Sequence, residues 1–426
     1  MALIQPFRGF RYNETLGKRI DKLTSPLFDV VSEQHRQKLY KNSKNSIHLS
    51  VPTEGYESTA YADRIIQWKK EGVIVREDKP SIYVYYQYFH LPNDSKSYCR
   101  KGFIANVQLY EWEDQVILRH ENTIPQSVDG RKAVLKETGL NVSPTHGLYT
   151  DSTYVVEPLM NEAIENPIYD SVDYQGVRDV LGIIDDPNKC AVFVDLLSEK
   201  QIILADGHHR YQGALNLRNE QKDASINFSD NDSLNHIMMY LTNTESDDLK
   251  IFPTHRLIKG IPDFNQEWFL EKLENYFHIQ ELEDDEDVFN LIAGKRWAFG
   301  LFIGEKLFNI RLRQQKHFEM EWELPDLVKD LDVTVLHYYI FEKVLKIRRD
   351  EQPKSEYLSF ERNLSVCYRK SIKGEINAAL ITQSIPMETV KSVCYSGTIM
   401  PQKSTYFYPK VICGYLFSSI KPEDHE

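Results

Sequence analysis

The stretch Ile202-Ile203-Leu204-Ala205-Asp206-Gly207-His208-His209-Arg210-Tyr211 holds the densest set of reactive side chains in this sequence. An apolar run stops at Asp206-Gly207, two histidines and an arginine follow, and helical spacing then begins at Tyr211, Ala214 and Leu215. That order predicts a strand, a glycine turn and a helix. The first N–H groups of a helix have no intrahelical partner and carry partial positive charge. A glycine just before them lets an anion reach the backbone. Gly207, His208, His209 and Arg210 therefore read as a phosphate-binding turn. A site in which the histidines themselves hold a metal is the weaker reading. Adjacent helical residues face different ways, and no His-x-x-x-His spacing lies nearby.

A second chemically rich segment is Met400-Pro401-Gln402-Lys403-Ser404-Thr405-Tyr406-Phe407-Tyr408-Pro409-Lys410. Lys-Ser-Thr invites comparison with the P-loop, which needs a glycine directly before the lysine. Gln402 stands there, and the nearest upstream glycine is Gly397, so the segment is not a P-loop. Lys403, Ser404 and Thr405 read either as an independent phosphate contact or as a loop leading into a strand. His120-Glu121 sets an imidazole beside a carboxylate, the pairing of a general base or a water-mediated metal contact. Asp29 and the Thr254-His255-Arg256 run fit structural roles better.

Positioning these groups requires sheets. Residues 81–89 (Ser-Ile-Tyr-Val-Tyr-Tyr-Gln-Tyr-Phe) have strand propensity, and residues 102–110 make a plausible partner. Residues 63–70 and 130–138 show helical spacing, residues 192–197 read as a strand feeding the Gly207 turn, and residues 219–233 as a polar loop. Residues 236–241 form a short buried element. Beyond Pro262, residues 266–276 read as an amphipathic helix and residues 281–287 as a solvated acidic face. Residues 297–303 and 306–312 read as a hairpin through Gly304-Glu305, and residues 331–347 as a longer helix. Residues 376–382, a helix near Glu388 and residues 406–417 complete that section. The expected fold class is α+β with a mixed sheet. Residues 1–260 would form the core that carries the phosphate turn, 261–395 an accessory α/β section, and 396–426 strands returning to the core.

Composition narrows the function. The chain has 426 residues, 41% hydrophobic and 27% charged, long enough for more than one domain. Its net charge of −12 speaks against wrapping nucleic acid, which is driven by Lys and Arg on phosphates. No apolar run approaches the roughly 20 residues needed to span a bilayer, and the N-terminus lacks the pattern of a signal peptide. Five scattered cysteines without Cys-x-x-Cys spacing argue against a disulfide framework or zinc site. A cytoplasmic location is expected, with self-association left open.

Pro6 to Asn13, His120-Glu121-Asn122-Thr123, Ala205 to Tyr211 and Met400 to Lys410 occur in that order, and together they resemble a large bacterial and archaeal family known only as a domain of unknown function. This chain departs from the family's usual pattern at Pro26-Leu27-Phe28-Asp29, where Pro-Pro-Tyr-Asp is common, and at Ser127-Val128-Asp129, where a basic–acidic pair is. The Asp206-Gly207-His208-His209-Arg210 turn itself resembles the nucleotide-phosphate motif of the ParB/sulfiredoxin-like superfamily, and within it the free serine kinases above all. That likeness implies a phosphotransferase that uses ATP or ADP with Mg²⁺ on a small hydroxylated metabolite, L-serine first. In that scheme His208 and Arg210 stabilise the transferred group, and Asp206 carries the metal. Lys403, Ser404 and Thr405 close the site, Glu121 with His120 takes the substrate proton, and Arg8 or Arg11 holds the substrate carboxylate. The alternatives are a non-catalytic nucleotide switch and a phosphoester hydrolase.

Overall fold

The computed structural model describes residues 1–51, 59–91, 94–224, 229, 232–283 and 288–424. The chain forms two compact units, unit 1 from residues 1–119, 123–250 and 409–426, and unit 2 from residues 120–122 and 251–408. Both mix helices with sheets, and the fold is α+β.

Unit 1 is built on a nine-stranded mixed sheet. Its strands are β1 (Ile4–Gln5), β2 (Ile82–His90), β3 (Ser97–Gln108), β4 (Ile117–Leu118), β5 (Thr145–Tyr149), β6 (Tyr169–Val172), β7 (Arg178–Ile184), β8 (Ile202–Asp206) and β9 (His236–Asn243). They lie in the order β4-β8-β5-β9-β3-β2-β7-β6, with β1 added to β3. The β8–β4 and β9–β5 pairs are parallel and the remaining pairs antiparallel. The aromatic run in β2 is explained by burial on both faces. Tyr83 and Tyr85 pack with Trp68, Tyr240 and Phe417, while Val84 and Tyr86 pack on the opposite face with Phe193, Leu197 and Tyr211. A strand buried twice has no polar alternate positions to show.

Three helices bear on the site: α1 (Pro125–Thr138), α2 (Pro187–Ser198) and α3 (His208–Ala224). Residues 192–197, expected as a strand, belong to α2. Asp186 caps that helix by accepting from the N–H of Asn188 at 2.8 Å, and Pro187 occupies its first turn. Cys190, Phe193 and Leu197 then bury at helical spacing, so the cap outweighs the β-branched valines. The polar stretch 219–233 is helical as far as Ala224 and ends in a short 3₁₀ turn that starts at Ser233. Residues 225–228 and 230–231 lie outside the described residues. Ser418–Ser419 pairs antiparallel with Leu140–Asn141.

Unit 2 carries a six-stranded antiparallel sheet of β10 (His255–Ile258), β11 (Phe277–Leu282), β12 (Ala298–Ile303), β13 (Lys306–Leu312), β14 (Leu358–Glu361) and β15 (Ala378–Ile381), in the order β11-β13-β12-β15-β10-β14. The expected hairpin is β12–β13, turning at Gly304 with φ +57°. Helix α4 (Gln266–Glu274) is capped by Asn265 and buries Phe269 and Leu273. The acidic run starts in β11, and its residues 284–287 lie outside the described residues. Residues 331–347 begin as α5 (Asp332–Leu336) and continue as π-helical turns over His337–Val344.

Candidate functional site

In unit 1 the predicted strand, turn and helix are β8, Gly207 and α3. Asp206 ends β8 opposite His146 of β5. Gly207 has φ +91°, and a Cβ there would stand 2.8 Å from Thr145 Cγ2, so both conformation and space require glycine. Asp206 Oδ2 accepts from Arg210 Nη2 at 2.7 Å, and Oδ1 accepts from Lys410 Nζ. Arg210 Nη1 donates to Ser143 Oγ at 2.8 Å and to the Pro144 carbonyl at 2.7 Å. Burial by itself would raise the Asp206 pKa. The charges of Lys410 and then Arg210 overcome it and hold the carboxyl well below the usual carboxylate range. His209 Nε2 accepts from the Ile124 N–H at 3.1 Å, tying α3 to the start of α1. His208, the first residue of α3, is buried.

Around this cluster lie groups that no local sequence pattern singles out. Arg100 is 1% exposed, donates from Nη2 to Gln87 Oε1 and sits 5.4 Å from the Tyr240 ring. Gln87 Nε2 donates to Asp179 Oδ1 at 2.9 Å and to the Lys410 carbonyl at 3.2 Å. Burial pushes the Asp179 carboxyl up to about 8, so it is mainly protonated at neutral pH. His146 stacks on Tyr240 and shares a 2.8 Å hydrogen bond with Thr242 Oγ1. Burial, then the charge of Arg100, drives its pKa far down and leaves it neutral. Among the groups that act on His146, Arg100, Arg210 and Lys410 thus face one carboxylate, Asp206.

Arg131 on α1 adds a fourth cation. It donates from Nη1 to the Ser50 carbonyl at 2.9 Å and lies 4.0 Å from the Phe28 ring centroid. Burial, and second the charge of Arg210, lowers its pKa. Arg131 and Arg210 line one cavity of about 40 Å³ together with Ser143, Asn141, Phe28 and Cys413. That is room for roughly three waters, the size class of one phosphoryl group.

A protein-held Mg²⁺ does not fit Asp206. Both its oxygens already accept from cations, and among the described residues no group of three or more His, Cys, Asp and Glu side chains could hold a metal. Magnesium needs oxygen ligands in near-octahedral array, and Lys410 with Arg210 would repel it. Asp206 is instead the anion that holds those two cations in place.

Unit 2 gathers a second set of predicted residues. His120 Nε2 is 2.8 Å from Thr405 Oγ1 and 3.5 Å from Glu121 Oε1. Glu121 Oε2 accepts from the Lys403 N–H at 3.1 Å, where Lys403 has φ +57°. Ser404 Oγ donates to the Pro401 carbonyl. Arg256, fully buried on β10, donates to the Thr254 carbonyl and from Nη2 to the Lys403 carbonyl at 3.2 Å. Burial pulls its pKa down to about 10, against the charge of Glu121. Arg8 and Arg11 form a third set in unit 1. Arg11 Nε pairs with the Glu77 carboxylate, while Arg8 Nε donates to the Glu77 carbonyl at 3.0 Å. A substrate carboxylate at Arg11 would first have to displace Glu77.

A protein family described as "Protein of unknown function (DUF1015)" matches residues 4–334. The chain belongs to that family. The match spans His120-Glu121 and the Gly207 turn but ends before Met400. No curated protein matches the sequence. Among solved structures, a free serine kinase in complex with AMP is similar to this family member over 73% of this chain and 90% of its own, at 17% identity and TM-score 0.38. A conserved hypothetical protein from Pyrococcus furiosus covers 73% and 94% at 17% identity and TM-score 0.37. SbnI with a C-terminal truncation, from Staphylococcus aureus, covers 73% and 85% at 13% identity and TM-score 0.35. Among the described residues no helix of this family member is long and apolar enough to cross a membrane.

Proposed function

We propose that the chain is a nucleotide-dependent phosphotransferase acting on a small hydroxylated metabolite, with L-serine the first acceptor to test. The observation that carries this reading is the surplus of buried positive charge beside the Gly207 turn. Arg131 and Arg210 line one small cavity, Arg100 and Lys410 add to the field, and among the described residues the carboxylates acting on these four cations are Asp206 and, at Arg131, Asp29. Buried cations without counter-charge cost several kcal/mol each, and a phosphate offers two or three negative oxygens of the matching size. Phosphoryl transfer asks a protein chiefly to position groups and neutralise charge.

In this reading the first N–H groups of α3, with Gly207 and His208, cradle donor phosphates of ATP or ADP. Arg131 and Arg210 neutralise them, and Asp206 with Lys410 fixes the Arg210 fork. His209 holds α1 against α3 through Ile124. Glu121, with His120 beside it, is the proton acceptor proposed for the substrate hydroxyl. The resemblance of the Gly-His-His-Arg turn to that of free serine kinases is the reason to test L-serine first.

Calorimetric titration with ATP, ADP and inorganic phosphate tests the anion site, and incubation with L-serine and each Mg-nucleotide tests the transfer. Phosphoserine formation from one donor is the expected result. Nucleotide binding without phosphoserine from any donor would remove the kinase assignment and leave the anion site. Absence of binding by all three anions would overturn the whole reading.

A further inference from the structure

Unit 2 contains a cavity of about 390 Å³, within the range of small-molecule sites, and the phosphotransferase reading makes no use of it. Its walls are mainly apolar: Trp322, Val328 and Leu358 with Phe360, Met400 and Pro401. Polar residues interrupt them: Asn122, Gln352 and Gln402, with Arg349 and Asp350 at exposed positions, besides His337. His337, 6% exposed, lines the cavity where α5 gives way to π-helical turns, a local geometry found often at binding sites.

The hydrogen bonds of His337 fix its chemistry. Gln352 Nε2 donates to the carbonyls of His337 at 3.2 Å and Ile347 at 3.0 Å, which sets the orientation of that amide. Gln352 Oε1 is therefore the acceptor facing His337 Nδ1, 2.9 Å away, and Nδ1 carries the proton. Burial, then the charge of Arg256, pulls the imidazole pKa down to about 3, so Nε2 holds a bare lone pair. This nitrogen is buried and has no hydrogen-bond partner among the described residues. A buried acceptor left unmade costs on the order of 1–3 kcal/mol. With Nδ1 engaged by Gln352, Nε2 is the ring nitrogen left without a donor.

We infer that this cavity binds an uncharged aromatic or heteroaromatic small molecule that donates one N–H or O–H hydrogen bond to His337 Nε2. Flat rings suit walls of Trp322, Phe360, Met400 and Pro401, where stacking and sulfur–aromatic contacts add to burial. A charged ligand would lose its hydration against those walls, while the charged lining residues Arg349 and Asp350 are exposed and opposite in sign. The inference stands apart from the phosphotransferase reading, because every lining residue belongs to unit 2 and none contributes to the anion site.

Indole and 1-methylindole are the probes, titrated calorimetrically into the full chain. They share a ring system, but 1-methylindole has no N–H. Indole is expected to bind with a submillimolar Kd and 1-methylindole at least about tenfold more weakly, the loss expected when a buried acceptor stays unpaired. Leu324→Trp, at a half-buried lining position, should fill the cavity and abolish indole binding while leaving the thermal melt of the protein unchanged. Equal affinities for the two probes would overturn the role of His337. Absence of indole binding at millimolar concentration, or indole binding unaffected in a folded Leu324→Trp, would overturn the site. The probe comparison on the unmodified chain needs no variant, so a misfolded Leu324→Trp leaves the inference testable.

Discussion

Asp179→Asn gives the sharpest test of the charge balance in unit 1. Asp179 is wholly buried on β7, and its Oδ1 accepts from the Tyr85 hydroxyl at 2.6 Å and from Gln87 Nε2 at 2.9 Å. Burial is the largest influence on the carboxyl and carries it up to about 8 from 3.8, beyond what the bonds from Tyr85 and Gln87 and the charge of Arg100 offset. A raised folded pKa means that the native chain keeps a proton which the unfolded chain releases. Stability should therefore fall as pH rises from about 4 to about 8 and level off above that. The four-unit gap amounts at pH 7 to at most about 4 kcal/mol relative to a residue that never ionises. Asparagine retains the Oδ1 acceptor and cannot ionise, so it should recover most of this energy. Urea unfolding of both proteins between pH 5 and pH 8 measures it. The advantage of Asp179→Asn should grow from about 2 kcal/mol at pH 5 to about 4 kcal/mol at pH 7. A wild-type profile flat over this range, or an asparagine variant less stable at pH 7, would mean that Asp179 is ionised. Arg100 would then be neutralised, and the surplus of positive charge would shrink.

Four further substitutions test the anion site and the proposed transfer. Arg131→Met should keep the fold and weaken ATP binding about tenfold or more by calorimetry, because it removes one cation from the cavity that Arg210 shares. Asp206→Asn should cost about 3–5 kcal/mol in thermal or urea unfolding, since Arg210 and Lys410 lose their counter-charge. Millimolar phosphate should raise the melting temperature of that variant more than that of the wild type. The stabilisation from Asp206, whose folded pKa is depressed, is present above about pH 4 and lost only as the solution is acidified below it. Gly207→Ala should destabilise by about 1–3 kcal/mol and weaken nucleotide binding, as φ +91° strains alanine and its Cβ meets Thr145. Glu121→Gln can still accept from the Lys403 N–H, so nucleotide affinity should hold while phosphoserine formation drops by roughly 100-fold or more.

The Gly207 turn was legible because three local signals agree there: an apolar run, a glycine and the onset of helical spacing. The partner choice of Arg210 was also within reach. Asp206 and Arg210 stand four apart, a spacing that favours ion pairs on helices, and Arg210→Ala consequently carries a folding cost beyond any loss of binding. Lys410 lay in a segment already singled out, yet nothing local joins it to a carboxylate 204 residues away. Arg100, His146 and Asp179 were out of reach for another reason. They sit on strands buried on both faces, where a polar side chain looks like an ordinary exposed alternate position. In α2, Ala-Val-Phe-Val carries strand propensity, and the Asp186-Pro187 cap that decides otherwise lies several residues upstream.

That surplus also bears on which anion the turn prefers. A carboxylate brings one charge on two coplanar oxygens, and Asp206 already supplies such a group to Arg210 and Lys410. Adding another monoanion would still leave cations in excess among Arg100, Arg131, Arg210 and Lys410. A phosphoryl group brings up to two charges, and its tetrahedral oxygens can meet Arg131 and Arg210 from different sides. The cavity of about 40 Å³ admits little beyond that group. Charge, shape and volume therefore select together, and phosphate should bind this turn more tightly than acetate at equal ionic strength. Equal binding of the two would leave the buried cations without the selectivity that phosphoryl transfer requires.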